Sequence, residues 1–173
     1  MLGYPPKPTA FLPNEEDFNP LEWIGQPKYR GWRAVVNNDN DVFTRHKNVV
    51  PIKPSYKSTG FKVYQLDGEI INPKDQTEYA VRRAVKDGTW KLEIFDVFIP
   101  GHNFTLVDRI NILRVDFDIW PILFPINKYN DMFRLRDECK AAGYEGVVLK
   151  RKDSLYKISQ HVSIIDPDWI KLR

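Results

Sequence analysis

The chain has 173 residues, with 26 Lys+Arg against 23 Asp+Glu and one cysteine. That length suits one domain able to bury roughly two-thirds of its extended-chain surface, and 42% hydrophobic against 28% charged residues argues against intrinsic disorder. A lone Cys139 excludes an internal disulfide framework or a multi-cysteine zinc site; no run nears the ~18 apolar residues of a membrane span, and the first residues lack signal-peptide layout, so a cytoplasmic protein with no membrane partner is expected.

Residues 1–20, rich in Pro and acids, read as an extended lead-in. Strands are expected over 23–29 and 32–37, around Gly31. The run Asn37-Asn38-Asp39-Asn40-Asp41 is turn chemistry, and Val42–Arg45 reads as the return arm of a hairpin. Residues 46–60 read as a loop. Residues 62–66 and 69–71 read as buried strand divided by Asp67-Gly68, and 77–86 as a basic helix. Lys91 to Ile99 sets Leu92, Ile94 and Asp96 against Glu93, Phe95 and Val97, which is strand periodicity. Residues 105–115 fit a helix capped by Asn103 or Thr105. The prolines in 120–126 suggest an edge strand. Residues 130–142 fit an amphipathic helix, with Met132, Leu135 and Cys139 on one side and Gly143 as its stop. Residues 146–151 and 168–173 are the closing strands. The fold class is α+β, antiparallel sheets with flanking helices, and residues 1–173 are expected to form one domain.

Charge is uneven. Residues 26–62 carry eight bases and two acids, a local charge of +6, while the whole chain carries +3. A polyanion partner, nucleotide or nucleic acid, and a solvated basic face both fit that zone.

Five segments carry chemistry. In Gln26-Pro27-Lys28-Tyr29-Arg30-Gly31-Trp32-Arg33 a lysine precedes a glycine turn between two strands. A lysine amine becomes nucleophilic when desolvation or nearby positive charge favours its neutral form, and Arg30 and Arg33 can supply that charge. A surface lysine in a basic hairpin is the plainer reading. Asp67-Gly68-Glu69 can hold a ribose hydroxyl or sit near a hard cation, or be an Asp-Gly turn. Phe95 can stack on a purine or fill a core. Glu145-Gly146 leads an apolar strand ending in Lys150, where the acid could meet a metal and the lysine a phosphate. In Trp169-Ile170-Lys171-Leu172-Arg173, alternation puts Trp169, Lys171 and Arg173 on one face.

In this order the five segments resemble the covalent nucleotidyltransferases: ATP-dependent DNA ligases, RNA ligases and mRNA capping enzymes. That pattern runs Lys-x-Asp-Gly-x-Arg, Asp-Gly-Glu, an aromatic strand, Glu-Gly with an apolar strand ending in Lys, and a Lys-x-Lys strand. The resemblance spans residues 26–173 and is most like the adenylation domain of ATP-dependent DNA ligases. It implies an ATP-grasp-like nucleotidyltransferase fold and nick sealing, as used in DNA repair and replication. Lys28 would attack ATP to give lysyl–AMP, which passes to the 5′-phosphate of a nick. Gln26 would read adenine, Phe95 and Val148 would sandwich it, and Glu69 would hold the ribose. Arg33 would touch nucleotide or substrate, and Lys150 and Lys171 would hold the α-phosphate. Glu145 would place Mg2+ or Mn2+, and Arg45 and Arg173 would meet nucleic acid. Implied partners are ATP, nicked duplex DNA, and a separate OB-fold or accessory protein. An RNA ligase, a capping nucleotidyltransferase or a non-catalytic nucleic-acid-binding relic is the alternative.

The chain departs from the pattern twice. Arg30 stands where the pattern has Asp; restoring Asp there is expected to aid sealing. The sequence given stops after the last nucleotidyltransferase strand, so no OB-fold is expected within it.

Overall fold

The computed structural model describes residues 3–75 and 77–173. In chain order its strands are β1 (Lys7–Thr9), β2 (Trp23–Lys28), β3 (Trp32–Asn37), β4 (Val42–Thr44), β5 (Val49–Val50), β6 (Gln65–Ile71), β7 (Lys91–Phe98), β8 (Phe124–Pro125), β9 (Gly146–Arg151) and β10 (Ile165–Leu172). The helices are α1 (Glu78–Asp87), α2 (Leu106–Phe117) and α3 (Asp131–Ala141). One sheet has the order β1-β10-β9-β2-β8 and the other β5-β4-β3-β6-β7.

Each sheet has an apolar and a polar face. In the first, Trp23, Val147, Leu149, Ile170 and Leu172 pack on Met132, Leu135 and Cys139 of α3. In the second, Ala34, Val36, Leu66 and Ile70 pack on Val81 of α1 and on Ile112, Leu113 and Phe117 of α2. The helices begin where the sequence places their caps. Thr105 caps α2 in a reciprocal pair with Asp108, and Thr77 accepts from the Ala80 N–H to open α1. Helix α3 stops before Gly143, whose φ is +92°.

Four local expectations change. Strands β2 and β3 do not form a hairpin; they belong to different sheets, and Tyr29-Arg30-Gly31 carries the chain from one to the other. Gly31 is needed there, because a Cβ at that position would run into the Ile70 carbonyl. Asp67-Gly68 is no turn but the middle of β6. Opposite it, Asp67 pairs with Asp96 and Gly68 with Ile94, so Phe95 is the extra residue of a bulge. That bulge shifts the alternation, which is why Leu92, Ile94, Val97 and Ile99 all join one core. The edge strand in 120–126 shrinks to Phe124–Pro125. The lead-in contains β1, which pairs in parallel with β10, so the sheets are not purely antiparallel. Met1 and Leu2 of the lead-in lie outside the described residues. No described helix is long and apolar enough to cross a membrane.

Candidate active site

The polar faces of the two sheets line a cavity of about 850 Å³, within the size range of small-molecule sites. Side chains two apart on a strand share a face, so Gln26 and Lys28 of β2 point the same way, as do Val148 and Lys150 of β9. Trp169 and Lys171 of β10 do likewise, and Arg173 continues their line. All of these residues line the cavity. Register aligns them across the sheet: Gln26 pairs with Val148, and Val148 with Lys171.

Lys28 ends β2 at the cavity. Its Nζ pairs with Glu145 Oε2, while the Glu145 N–H donates to the Lys28 carbonyl at 2.8 Å. Glu145 Oε1 also meets Arg173 Nε at 3.1 Å. The carboxylate therefore joins β2 to the end of β10 through both of its oxygens. Gly146 lets this happen: it has φ +149° and lies so close to the Leu172 carbonyl that a Cβ would not fit.

Gln26 is 2% exposed. Its Nε2 donates to the carbonyl of the bulged Phe95 at 3.1 Å, and its Oε1 is buried without a partner. Phe95 lies at the cavity with Arg33 on its ring, Cζ 4.9 Å from the centroid. Arg33 forks onto Asp67, with Nε 2.5 Å from Oδ1 and Nη2 paired to Oδ2. Burial alone would ease the proton off that guanidinium, but Asp67 more than reverses this and holds it charged.

Beneath the cavity lies a buried charge network. Asp96 accepts from Arg109 Nε at 2.6 Å and from Lys150 Nζ at 3.0 Å. Burial favours the neutral acid, yet the two cations outweigh it and hold Asp96 down to about 2. Burial lowers Lys150 to about 8, against the pull of Asp96. Lys150 Nζ also sits 3.7 Å from the centroid of the Trp169 ring. Lys150 therefore lies in the cavity wall with its ammonium held by Asp96. Glu69 is pushed up to about 7 by burial, which the Arg33 and Lys28 charges only partly offset.

Among the described residues no group of three or more His, Cys, Asp or Glu could hold a metal. Magnesium commonly takes one or two carboxylates and completes its shell with substrate phosphates and water. Glu145 lines the cavity and could supply one such carboxylate in exchange for its pairings with Lys28 and Arg173.

The cavity gathers Gln26, Lys28, Arg33, Glu69, Phe95 and Val148 with Glu145, Lys150, Lys171, Arg45 and Arg173. Arg45 lies at its exposed margin, with Nε on His46 Nε2 at 3.1 Å. Sequence reasoning missed Arg109 and Tyr156. Tyr156 OH donates to Asp67 at 2.7 Å, and Arg109 anchors Asp96 from α2. Neither lies in a motif; the only signal was an arginine one turn into a helix otherwise apolar at that face.

No protein-family model matches the sequence, and no curated protein matches it. Solved structures do. A Lig E DNA ligase superposes with a TM-score of 0.74 at 17% identity, covering 100% of this chain and 69% of the ligase. Chlorella virus DNA ligase–adenylate gives 0.68 at 19% identity, over 100% and 69%. The bacteriophage T7 ATP-dependent DNA ligase in complex with ATP gives 0.70 at 13% identity, over 98% and 68%. The ligase domain of M. tuberculosis LigD is matched over 58% of its length. The chain thus has the nucleotidyltransferase-domain fold of ATP-dependent DNA ligases.

Proposed function

We propose that the chain is the adenylation domain of an ATP-dependent DNA ligase. One observation carries this reading. A lysine amine, an amide with one unused acceptor and a second lysine share one face of the first sheet, at a cavity large enough for a nucleotide. Gln26 supports adenine over guanine. Its Nε2 is engaged by the Phe95 carbonyl, so the remaining Oε1 can only accept. Adenine offers an exocyclic amine there, and guanine offers an oxygen, which would be left facing an acceptor. Phe95 and Val148 flank the base, and Glu69 reaches the ribose.

Lys28 must shed a proton before it attacks. Glu145 pairs with Nζ, and on taking up a divalent ion it would loosen that pairing and leave the amine to give its proton to water. The amine lone pair then forms a P–N bond to the α-phosphorus. The P–O bond to the β-phosphate breaks, and pyrophosphate leaves with that electron pair. Lys171, with Arg33 and Lys150 behind it, balances charge at the α-phosphate. Magnesium or manganese held by Glu145 and the phosphates would supply further charge neutralisation. In the second step a 5′-phosphate oxygen at the nick attacks the same phosphorus, and the P–N bond breaks to return the lysine. A 3′-hydroxyl then displaces AMP and joins the strands. Arg45 and Arg173, at the exposed margin, suit the phosphates of a nicked duplex. Because the chain spans about two-thirds of the ligases it resembles, an OB-fold or accessory protein is part of the proposal for efficient sealing.

Intact mass after incubation with magnesium and ATP, with GTP in parallel, tests the reading. A gain of one AMP that Lys28→Ala abolishes is the expected result. A gain of GMP would point to capping, and no gain even beside a supplied OB-fold protein would sink the assignment.

A further inference from the structure

Arg30 is exposed at the margin of the cavity, two residues beyond Lys28, and has no ion pair or hydrogen bond among the described residues. Its neighbours along the chain are fixed. Tyr29 is 8% exposed and packs edge-on against Tyr144, with ring centroids 5.5 Å apart. Gly31 is wedged against the Ile70 carbonyl. The backbone of Arg30 is thus clamped between the two sheets, and only its side chain is free. The acids on this side of the cavity make no ion pair with it: Glu145 serves Lys28 and Arg173, Asp67 serves Arg33, and Glu69, whose side chain lies beside Gly31, is not paired with Arg30. The Arg30 charge is left uncompensated on a rigid mount, which is how a site for an incoming anion is built.

Two anions could come: the triphosphate or a nucleic-acid strand. In-line attack by Lys28 sends pyrophosphate away from the amine, whereas Arg30 stands on the same turn as the amine. It is also exposed rather than turned into the cavity wall. We propose that Arg30 is a positioning residue that grips a backbone phosphate of the polynucleotide lying over Lys28. This rests on the nucleotidyltransferase reading for the identity of the strand. It also reverses the expectation that an acid at position 30 would serve sealing better.

Binding of a labelled duplex with one central nick, measured across a salt series in the absence of ATP, tests this independently of catalysis. Each phosphate contact contributes about 0.9 to the slope of log affinity against log salt. Arg30→Gln is expected to lower that slope by about one such contact, and Arg30→Lys to keep it. Arg30→Asp is expected to weaken binding further. The ATP concentration that half-saturates lysyl–AMP formation should stay put in Arg30→Gln. An unchanged salt slope would overturn the proposal, and a raised half-saturating ATP with that same slope would assign Arg30 to the triphosphate instead. If the wild-type chain takes up no AMP even beside a supplied OB-fold protein, while Arg30→Gln still lowers the salt slope, the enzyme reading is refuted and the phosphate contact stands.

Discussion

Asp67 and Asp96 face each other as register partners on β6 and β7, both fully buried, and each is neutralised by a different element. Asp67 takes Arg33 from β3, while Asp96 takes Arg109 from α2 and Lys150 from β9 of the other sheet. Two adjacent buried carboxylates would repel without those partners. The Lys150–Asp96 pair is a direct bond between the sheets, so it fixes the spacing across which the cavity opens. Asp96→Ala strands two buried cations and is expected to cost about 3–5 kcal/mol. For a chain of this size that lowers the melting temperature by roughly 10 °C. Thermal unfolding by circular dichroism would measure it; a loss under about 1 kcal/mol would mean that the network does not hold the sheets.

Glu69 gives the chain a pH dependence of a definite sign. Its carboxyl stands at about 7 in the folded chain against 4.5 for the free group. The folded state therefore binds the proton more tightly. Its contribution is fully present below pH 4.5 and is lost as pH rises through 7. Glu69→Gln removes the titration, so its stability relative to wild type should improve by about 1–3 kcal/mol between pH 4.5 and 8. Water in the open cavity trims that figure toward its lower end. Asp96 works in the opposite sense: its contribution is present above 3.8 and is lost as pH falls toward 2. Denaturant midpoints of the two proteins across the pH range would decide, and a difference flat in pH would mean that Glu69 is hydrated as it is in the unfolded chain.

The sequence is legible where chemistry is local. Caps and apolar spacing gave α2 and α3 to within a few residues, since Thr105 and Gly143 act on their own neighbours. Alternation in β10 correctly grouped Trp169, Lys171 and Arg173 at the cavity. What stayed hidden depends on partners far along the chain. Nothing near Gly31 announces that the turn leaves one sheet for another, because that follows from the Ile70 carbonyl pressed against it. The bulge at Phe95 arises from pairing with β6, and it turns what reads as regular alternation into a phase shift. Strand β1 was missed because its apolar content is low and its pairing with β10 spans most of the sequence.

Gln26 should decide which nucleotide the chain takes. One N–H of its Nε2 is spent on the Phe95 carbonyl, which orients the amide, and its Oε1 is buried without a partner. Gln26→Ala removes both interactions. It is expected to raise the ATP concentration that half-saturates lysyl–AMP formation by roughly tenfold or more and to narrow the preference for ATP over GTP. The Phe95 carbonyl also loses its partner, costing about 1 kcal/mol of stability. Adduct formation followed by mass across ATP and GTP titrations would test this. An unaltered ATP preference would remove Gln26 from base recognition.

Lys28 and Gly31 lie three residues apart and should fail in opposite ways. Lys28→Ala removes a partly exposed ion pair and leaves Glu145 with Arg173. The expected loss of stability is at most about 1 kcal/mol, with no AMP adduct formed. Gly31→Ala keeps Lys28 but drives a methyl group into the Ile70 carbonyl. The turn has to move, at a cost of about 1–3 kcal/mol. Lys28 and Arg33, which hang from its two ends, then shift relative to each other. A displacement of ~1 Å at a reacting group is enough to slow chemistry by about a hundredfold. Gly31→Ala should therefore melt earlier and form its adduct slowly but to completion. Melting curves and adduct time courses on both variants separate the two roles. A Gly31→Ala variant with wild-type kinetics would show that the turn does not set the position of the amine.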